Sequence, residues 1–179
     1  SFHSWAKADD ISEYEIEGIS IGDNLLDHFK KEYIDKLPRE NYPKSNKFYV
    51  VDGNFSKSEL YDGFQVALKN NDYTVYGITA GIFFKTMTNC LPHKDKVEKE
   101  ISSLFNSTEK FSSEGKHDAD PNGNSYMYQT QFAFKNGGLI AIECLDWSDE
   151  ISNKYNWTDN FSISFYSKEY ENFVRYEAY

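Results

Sequence analysis

The segment His117–Ser125, HDADPNGNS, contains the residues of this chain best suited to bind a metal ion. Asp118, Asp120 and Asn122 occupy alternate positions and Gly123 follows, as in the first half of a calcium-binding loop whose oxygen ligands converge on one cation. Gln129 stands where such a loop normally ends with a bidentate glutamate. Asp-Pro-Asn-Gly is also an ordinary turn sequence. The segment therefore predicts a turn that needs no cofactor, with calcium binding at Asp118, Asp120 and Asn122 as the alternative.

The same segment contains the residue types of a catalytic triad in His117, Asp120 and Ser125. A triad needs a nucleophile and a base held on rigid supports, which three residues within nine of one loop rarely provide. The other histidines, His3, His28 and His93, do not have the spacing of a zinc site. We therefore assign no catalytic residues from the sequence.

Three aromatic residues, Trp147, Tyr155 and Trp157, lie in the polar segment DWSDEISNKYNWTDN. Exposed aromatic rings beside carboxylates and amides bind sugar rings by stacking, or cationic ligands by cation–π contact. In the alternative interpretation these rings close one end of the hydrophobic core under a loop. The three residues are the candidate ligand-binding site.

The N-terminal segment IEGISIGDNLLDHF, residues 16–29, has two glycines but no phosphate-loop pattern. Ser20 and Asp23 have the spacing of a capping box, in which each side chain accepts a hydrogen bond from the other residue's backbone amide. The segment therefore predicts the start of a helix whose Leu25, Leu26 and Phe29 face the core.

Alternating apolar residues predict a hairpin at residues 61–84, a second hairpin turning at Asn136-Gly137, and a further strand at NFSISFY. Residues 89–105 have helical periodicity, with charge pairs such as Lys94/Glu98 on the side away from the core. A short helix is predicted at KEYENFVRY, and KFYVV is a candidate edge strand. The expected fold is α+β: an antiparallel sheet of about five strands (a hairpin plus a three-strand meander), a central helix on one face, and short helices at both ends.

Composition limits the possible partners. The 179 residues have a net charge of -10 and an aromatic content of 17 %, and the sequence pI is about 4.8. Such a charge repels phosphate backbones and anionic lipid, so nucleic acid is not an expected partner. No apolar run is long enough to span a membrane. An unidentified small molecule or protein is the expected partner.

Four segments, IEGISIGDNLLDHF, CLPHKDKVEKEISSLF, HDADPNGNS and CLDWS, resemble a family of small exported proteins of marine bacteria without known activity. The resemblance covers the chain from about Asp9 onward and implies export and a paired cysteine. The family has a basic residue at the position of Asp118, so a shared use of that carboxylate is not implied. Ala6-Lys7-Ala8 fits a signal-peptidase site. Residues 1–8 are accordingly interpreted as a signal-peptide remnant, residues 9–179 as one domain, and the location as periplasmic or secreted.

Cys90 and Cys144 are the two cysteines of the chain. In LIAIECLDW, alternation places Cys144 on the inward face of its strand, and Cys90 lies near the start of the helix expected to cover that face. The two residues are predicted to form a disulfide in an oxidising compartment. Two separate buried thiols in a cytosolic protein are the alternative.

These observations favour a non-enzymatic binding or interaction module. The alternative is a hydrolase that uses paired carboxylates in a cleft. A deep pocket with two facing carboxylates would favour the hydrolase, and an aromatic-lined face would favour the binding module.

Overall fold

The structure is a computed structural model that describes residues 10–55, 59–105 and 108–178. Its main element is an eight-stranded antiparallel sheet in the order β3-β4-β5-β6-β10-β9-β8-β7, and β1 and β2 form a separate hairpin. The strands are β1 Glu15–Ile16, β2 Ile19–Ser20, β3 Arg39–Asn41, β4 Phe48–Asp52, β5 Gly63–Lys69, β6 Asp72–Phe83, β7 Glu109–Lys116, β8 Tyr126–Ala133, β9 Leu139–Asp146 and β10 Asn160–Tyr166. The helices are α1 Lys31–Ile34, α2 Met87–Leu104, α3 Asp149–Tyr155 and α4 Lys168–Tyr176, with 3-10 turns at Ile11–Glu13 and Leu25–Asp27.

The α+β class and the antiparallel pairing are confirmed, but the expected number of about five strands is wrong. The predicted strands correspond to β5, β6, β8, β9 and β10, and both predicted hairpins form. The strand at KFYVV is β4, which lies one position in from the edge because β3 pairs outside it. The edge strands β3 and β7 are almost entirely exposed, so they lack the apolar alternation that marks the other strands.

Helix α2 lies across one face of the sheet and covers its central strands. It follows β6 and leads to β7 at the far edge, while β10 returns to the centre between β6 and β9. Cys90, Val97 and Ile101 of α2 are buried against the apolar face of these strands. The helix begins at Met87, two residues before the start of the predicted range 89–105. No helix in the described parts of the chain is long and apolar enough to cross a membrane.

A second, smaller core lies on the opposite face of the sheet, under α4. Ser167 caps this helix by accepting a hydrogen bond from the amide of Tyr170 at 3.1 Å. Tyr170 and Phe173 are buried there with Phe48 of β4. The predicted C-terminal helix is therefore confirmed.

The predicted helix after Ser20 is wrong. The amide of Ser20 does donate to the Asp23 carboxylate at 2.9 Å, but Gly22 has a φ of +92°, which directs the chain into a turn. Only the 3-10 turn Leu25–Asp27 follows, capped by Asn24. Leu25 is buried as expected, whereas Leu26 is 38 % exposed.

Cys90 and Cys144 are paired beneath the first turns of α2. Their Cα atoms are 6.0 Å apart, within the range that a disulfide requires. The pair joins the helix to β9, as the inward orientation of Cys144 predicted. The proposed signal-peptide remnant at residues 1–8 lies outside the described residues.

Candidate functional site

Four aromatic residues gather where β7, β9 and α3 meet at one end of the sheet. Trp147 follows β9, Tyr155 ends α3, Trp157 lies two residues beyond, and His117 follows β7. We call these four residues the aromatic cluster. The structure therefore brings Trp147, Tyr155 and Trp157 together and adds His117, which was considered in the sequence only as a triad residue.

Helix α3 positions two of these rings, and it was not predicted. The Ser148 hydroxyl caps the start of the helix by accepting a hydrogen bond from the backbone amide of Ile151. The negative charges of Asp149 and Glu150 in the first turn interact favourably with the positive end of the helix dipole. Asn156 ends the helix in the left-handed conformation, with φ +56°. Ser148-Asp149-Glu150 and Asn156 are the start and stop signals of this helix in the sequence.

The rings form a continuous series of contacts from the half-buried His117 to the exposed Tyr155. The His117 and Trp147 ring centroids are 4.5 Å apart, and those of Trp147 and Trp157 are 4.6 Å apart. Tyr155 and Trp157 stack with centroids 4.9 Å apart and an interplanar angle of 27°. Tyr155 and Trp157 are 46 % and 40 % exposed, and Trp147 is half-buried behind them. The two outer rings thus form an exposed stacked pair in contact with Trp147, which we call the platform. Because the two rings stack on each other, a ligand can contact only their outer faces and edges.

The Asp120 carboxylate holds the loop 117–125 against the start of α3. It accepts hydrogen bonds from the Ser125 amide at 2.8 Å, the Ser125 hydroxyl at 2.7 Å and the Ser148 hydroxyl at 3.0 Å. The Ser125 hydroxyl, and then that of Ser148 and nearby backbone amides, lower the pKa of Asp120 to about 2. Because Ser148 is also the cap of α3, this network fixes the loop that carries His117 relative to the helix that carries Tyr155.

Two carboxylates lie beside the cluster at the ends of paired strands. Leu145 of β9 pairs with Asn160 at the start of β10, so the next position along the two chains brings Asp146 near Asp159. Burial, and then the negative charge of Asp159, raise the pKa of Asp146 above its usual range. Asp159 accepts a hydrogen bond from the amide of Trp147 at 2.8 Å. On the outer side, the Lys154 ammonium lies 4.9 Å from the Tyr155 ring centroid.

The three predicted calcium ligands have different environments. Asp120 uses both carboxylate oxygens as acceptors within its own loop, while Asp118 is exposed. The side-chain amide of Asn122 donates a hydrogen bond to the Glu150 carboxylate of α3 at 2.8 Å. Within the described ranges, no three His, Cys, Asp or Glu side chains are grouped so that they could hold a metal ion. Calcium binding by Asp118, Asp120 and Asn122 stays a prediction.

His117, Asp120 and Ser125 are not arranged as a catalytic triad. His117 Nδ1 accepts a hydrogen bond from the Ala119 amide at 3.1 Å, and its ring packs on Trp147. The Ser125 hydroxyl donates to Asp120. The acid is thus bonded to the hydroxyl and not to the imidazole, which is the reverse of the order needed to activate a serine.

A charged cluster around the buried Lys94 of α2 was also not anticipated, because Lys94 and Glu98 were expected on the solvent side. Lys94 is only 7 % exposed and donates to Glu98 at 3.2 Å and to Thr130 of β8 at 2.9 Å. Lys110 of β7 also pairs with Glu98. Burial alone would raise the pKa of Glu98, but hydrogen bonds from Lys110, Thr130 and Lys94 outweigh it and lower the pKa to about 2.

Comparison with known proteins finds no match to a protein family, to a curated protein or to a solved structure. The assignment of function therefore rests on the geometry of the site.

Proposed function

We propose that the protein is a non-enzymatic binding module that holds a neutral sugar ring on the Tyr155–Trp157 platform. The observation that carries this proposal is the near-parallel stacking of two aromatic rings that both stay well exposed. Large aromatic rings stabilise a protein most when they are buried, and exposed apolar patches mark interaction sites, so two adjacent exposed rings indicate a binding surface.

The chemistry around the platform suits a sugar. The C–H face of a pyranose ring packs on an aromatic ring, and its hydroxyl groups need hydrogen-bonding partners at the edge. Asn153, Asn156 and Thr158 are exposed within two residues of Tyr155 or Trp157 in the chain, and they carry amide and hydroxyl groups. A cationic ligand would meet Lys154, which already lies over Tyr155. A neutral ligand fits this arrangement better.

The proposal is tested by titrating the protein with cellohexaose, xylohexaose, laminarihexaose and chitohexaose while tryptophan fluorescence is recorded. Trp147 and Trp157 are two of the three tryptophans of the chain, so binding at the platform changes the emission. We expect at least one oligosaccharide to bind saturably. Trp157→Ala should weaken that binding about thirtyfold, as expected for the loss of a central aromatic contact.

Tyr176→Ala is the matched control, because Tyr176 is an exposed aromatic residue at the end of α4, outside the cluster. It should bind the same oligosaccharide as tightly as the parent. If none of the four sugars binds at millimolar concentration, or if Trp157→Ala and Tyr176→Ala behave alike, sugar binding at the platform is rejected.

We further propose that the protein acts outside the cytoplasm, in the periplasm or after secretion, and belongs to the marine bacterial exported family that its sequence resembles. The Cys90–Cys144 pair supports this location, because structural disulfides persist in oxidising compartments. Expression of a precursor with its own leader, followed by mass spectrometry of the periplasmic fraction, tests it. An unprocessed cytosolic product would contradict it.

A glycoside hydrolase is the second candidate, favoured by Asp146 and Asp159. A carboxyl group with a raised pKa can act as a general acid, and Asp159 would act as the second carboxylate beside the same aromatic cluster. The test is the release of new reducing ends from the same four oligosaccharides. Release that Asp146→Asn abolishes would support the hydrolase, and the absence of any release would leave the binding module.

A further inference from the structure

A cleft of about 290 Å³ lies on the α4 side of the sheet, away from the aromatic cluster. Its walls come from β3 and the residues after it, from the central strands β5 and β6, and from the start of α4. The volume is close to the lower end of the range for small-molecule sites, so the occupant must be small.

Three tyrosine rings line this cleft at steep angles to one another. Tyr42 and Tyr170 have ring centroids 6.4 Å apart and an interplanar angle of 64°, and their hydroxyl groups are in contact. Tyr166 and Tyr170 are 5.2 Å apart at 88°. Rings set at such angles form adjacent walls of a cage and not a single flat platform.

The described residues that line the cleft include a negatively charged side chain and no positively charged one. Among the described residues that line it, Glu40 of β3 is the only one with a charged side chain, and Gln65 and Thr79 add neutral polar groups. The whole chain has a net charge of -10. An anionic ligand would meet no compensating charge in this cleft, whereas a cation would meet the Glu40 carboxylate and the tyrosine side chains that line the cleft.

We propose that the cleft lined by Glu40, Tyr42, Tyr166 and Tyr170 is a binding site for a small organic ammonium ion. The tyrosine rings would contact the methyl groups or C–H groups around the nitrogen, and Glu40 would balance its charge. Aromatic cages with a carboxylate recognise quaternary ammonium groups in this way. The site is independent of the sugar-binding proposal, since the two surfaces share no residue.

Choline and its uncharged carbon analogue, 3,3-dimethylbutan-1-ol, are the probes, and isothermal titration calorimetry is the measurement. The two molecules have nearly the same shape and differ in charge. We expect choline to bind saturably and at least about tenfold more tightly than the alcohol, which corresponds to the contribution of a cation–π contact and a charge pair. Equal binding of the two would show an apolar cleft and overturn the proposal.

The variants Glu40→Gln and Glu109→Gln make the comparison specific to the cleft. Both glutamates are exposed on edge strands, but Glu40 is on β3 and Glu109 is on β7, at the opposite edge of the sheet. Glu40→Gln should weaken choline binding about tenfold, while Glu109→Gln should leave it unchanged. Equal effects of the two variants would show general charge attraction only and would overturn the proposal.

Tyr166→Leu tests the cage itself, because it retains an apolar side chain and removes one ring. We expect at least a fivefold loss of choline affinity. The tryptophan bands of the near-ultraviolet circular dichroism spectrum should match those of the parent, which shows that the fold is retained. Trp157→Ala should bind choline like the parent. No detectable heat with millimolar choline for the parent protein, or unchanged affinity in Tyr166→Leu, would overturn the proposal.

Discussion

At the scale of single residues, two carboxylates with a lowered pKa act as structural anchors. Asp120 joins the loop 117–125 to the cap of α3, and Glu98 joins α2 to β7 and β8. Neither role follows from the residue type, because each also depends on donors from other segments, Ser148 for Asp120 and Lys110 and Thr130 for Glu98.

Asp120→Asn should destabilise the protein at neutral pH, because the amide cannot accept the same set of hydrogen bonds from Ser125 and Ser148. The folded-state pKa of Asp120 is about 2, below its ordinary value of 3.8, so the carboxylate stabilises the fold above that ordinary value. This stabilisation is lost as the pH falls towards 2. The difference in Tm between variant and parent should therefore narrow in acid, as measured by thermal unfolding across this pH range.

Asp118→Asn is the control, since Asp118 is exposed in the same loop. It should leave Tm unchanged at every pH. If calcium raises the Tm of the parent and both substitutions remove this effect, the loop is a metal site and the purely structural account of Asp120 is wrong.

Glu98→Gln should lower the free energy of unfolding by about 2 kcal/mol near pH 7, because the buried Lys94 ammonium loses its charged acceptor. The pKa of Glu98 is about 2 in the folded protein against an ordinary 4.5, so its contribution is complete above the ordinary value and disappears towards pH 2. Urea unfolding measures the change. Glu100→Gln, an exposed position on the same helix, should change stability little, and equal losses in both variants would contradict a specific role of the cluster.

At the scale of elements, the close approach of α4 to the sheet depends on one glycine. A Cβ atom at Gly77 of β6 would lie 2.5 Å and 2.6 Å from ring carbons of Tyr170 and 3.1 Å from the Cβ of Ala67. The alternation along β6 shows which residues face each side of the sheet. It does not show which position must lack a side chain so that α4 can pack there.

Gly77→Ala should therefore displace Tyr170 and destabilise the protein by about 2 kcal/mol, the usual cost of overpacking a core. Gly81→Ala is the matched control on the same strand, because its Cβ would meet only the Phe161 carbonyl oxygen, at 3.5 Å. Chemical denaturation of both variants checks the prediction. A Gly77→Ala protein as stable as Gly81→Ala would mean that α4 is less tightly packed than described.

At the scale of the whole molecule, the disulfide joins elements on the two sides of the main core. Cys90 and Cys144 are 54 residues apart, and closing a loop of that size should stabilise the fold by about 4 kcal/mol in the chain-entropy description. The double variant Cys90→Ala, Cys144→Ala should show this loss in urea unfolding. The parent should show a similar loss after reduction.

Intact-mass analysis with a thiol alkylator, under denaturing and non-reducing conditions, tests the pairing directly. Protein made in an oxidising compartment should take up no alkylator without prior reduction. Two adducts on such protein would exclude the disulfide and weaken the case for export.

The sequence by itself determined the elements whose signals are local. The hairpins at 61–84 and around Asn136-Gly137, the strand β10 and the helices α2 and α4 follow from apolar periodicity and turn residues within one short window. The cysteine pair was also predictable, because strand alternation fixes which face Cys144 takes.

Only the tertiary structure decided the rest. The edge strands β3 and β7 have no buried face of their own, so they are defined by their neighbours and not by a pattern. Tyr42 and Tyr170 meet across 128 residues, and β10 enters the sheet between β6 and β9. The local sequence determines the periodicity of each helix or strand. Which other element packs on its apolar face depends on the whole chain, because all apolar faces must be buried together. The tyrosine cleft is a product of that long-range packing, whereas the Tyr155–Trp157 platform comes from one short segment and only its contact with His117, through Trp147, is long-range.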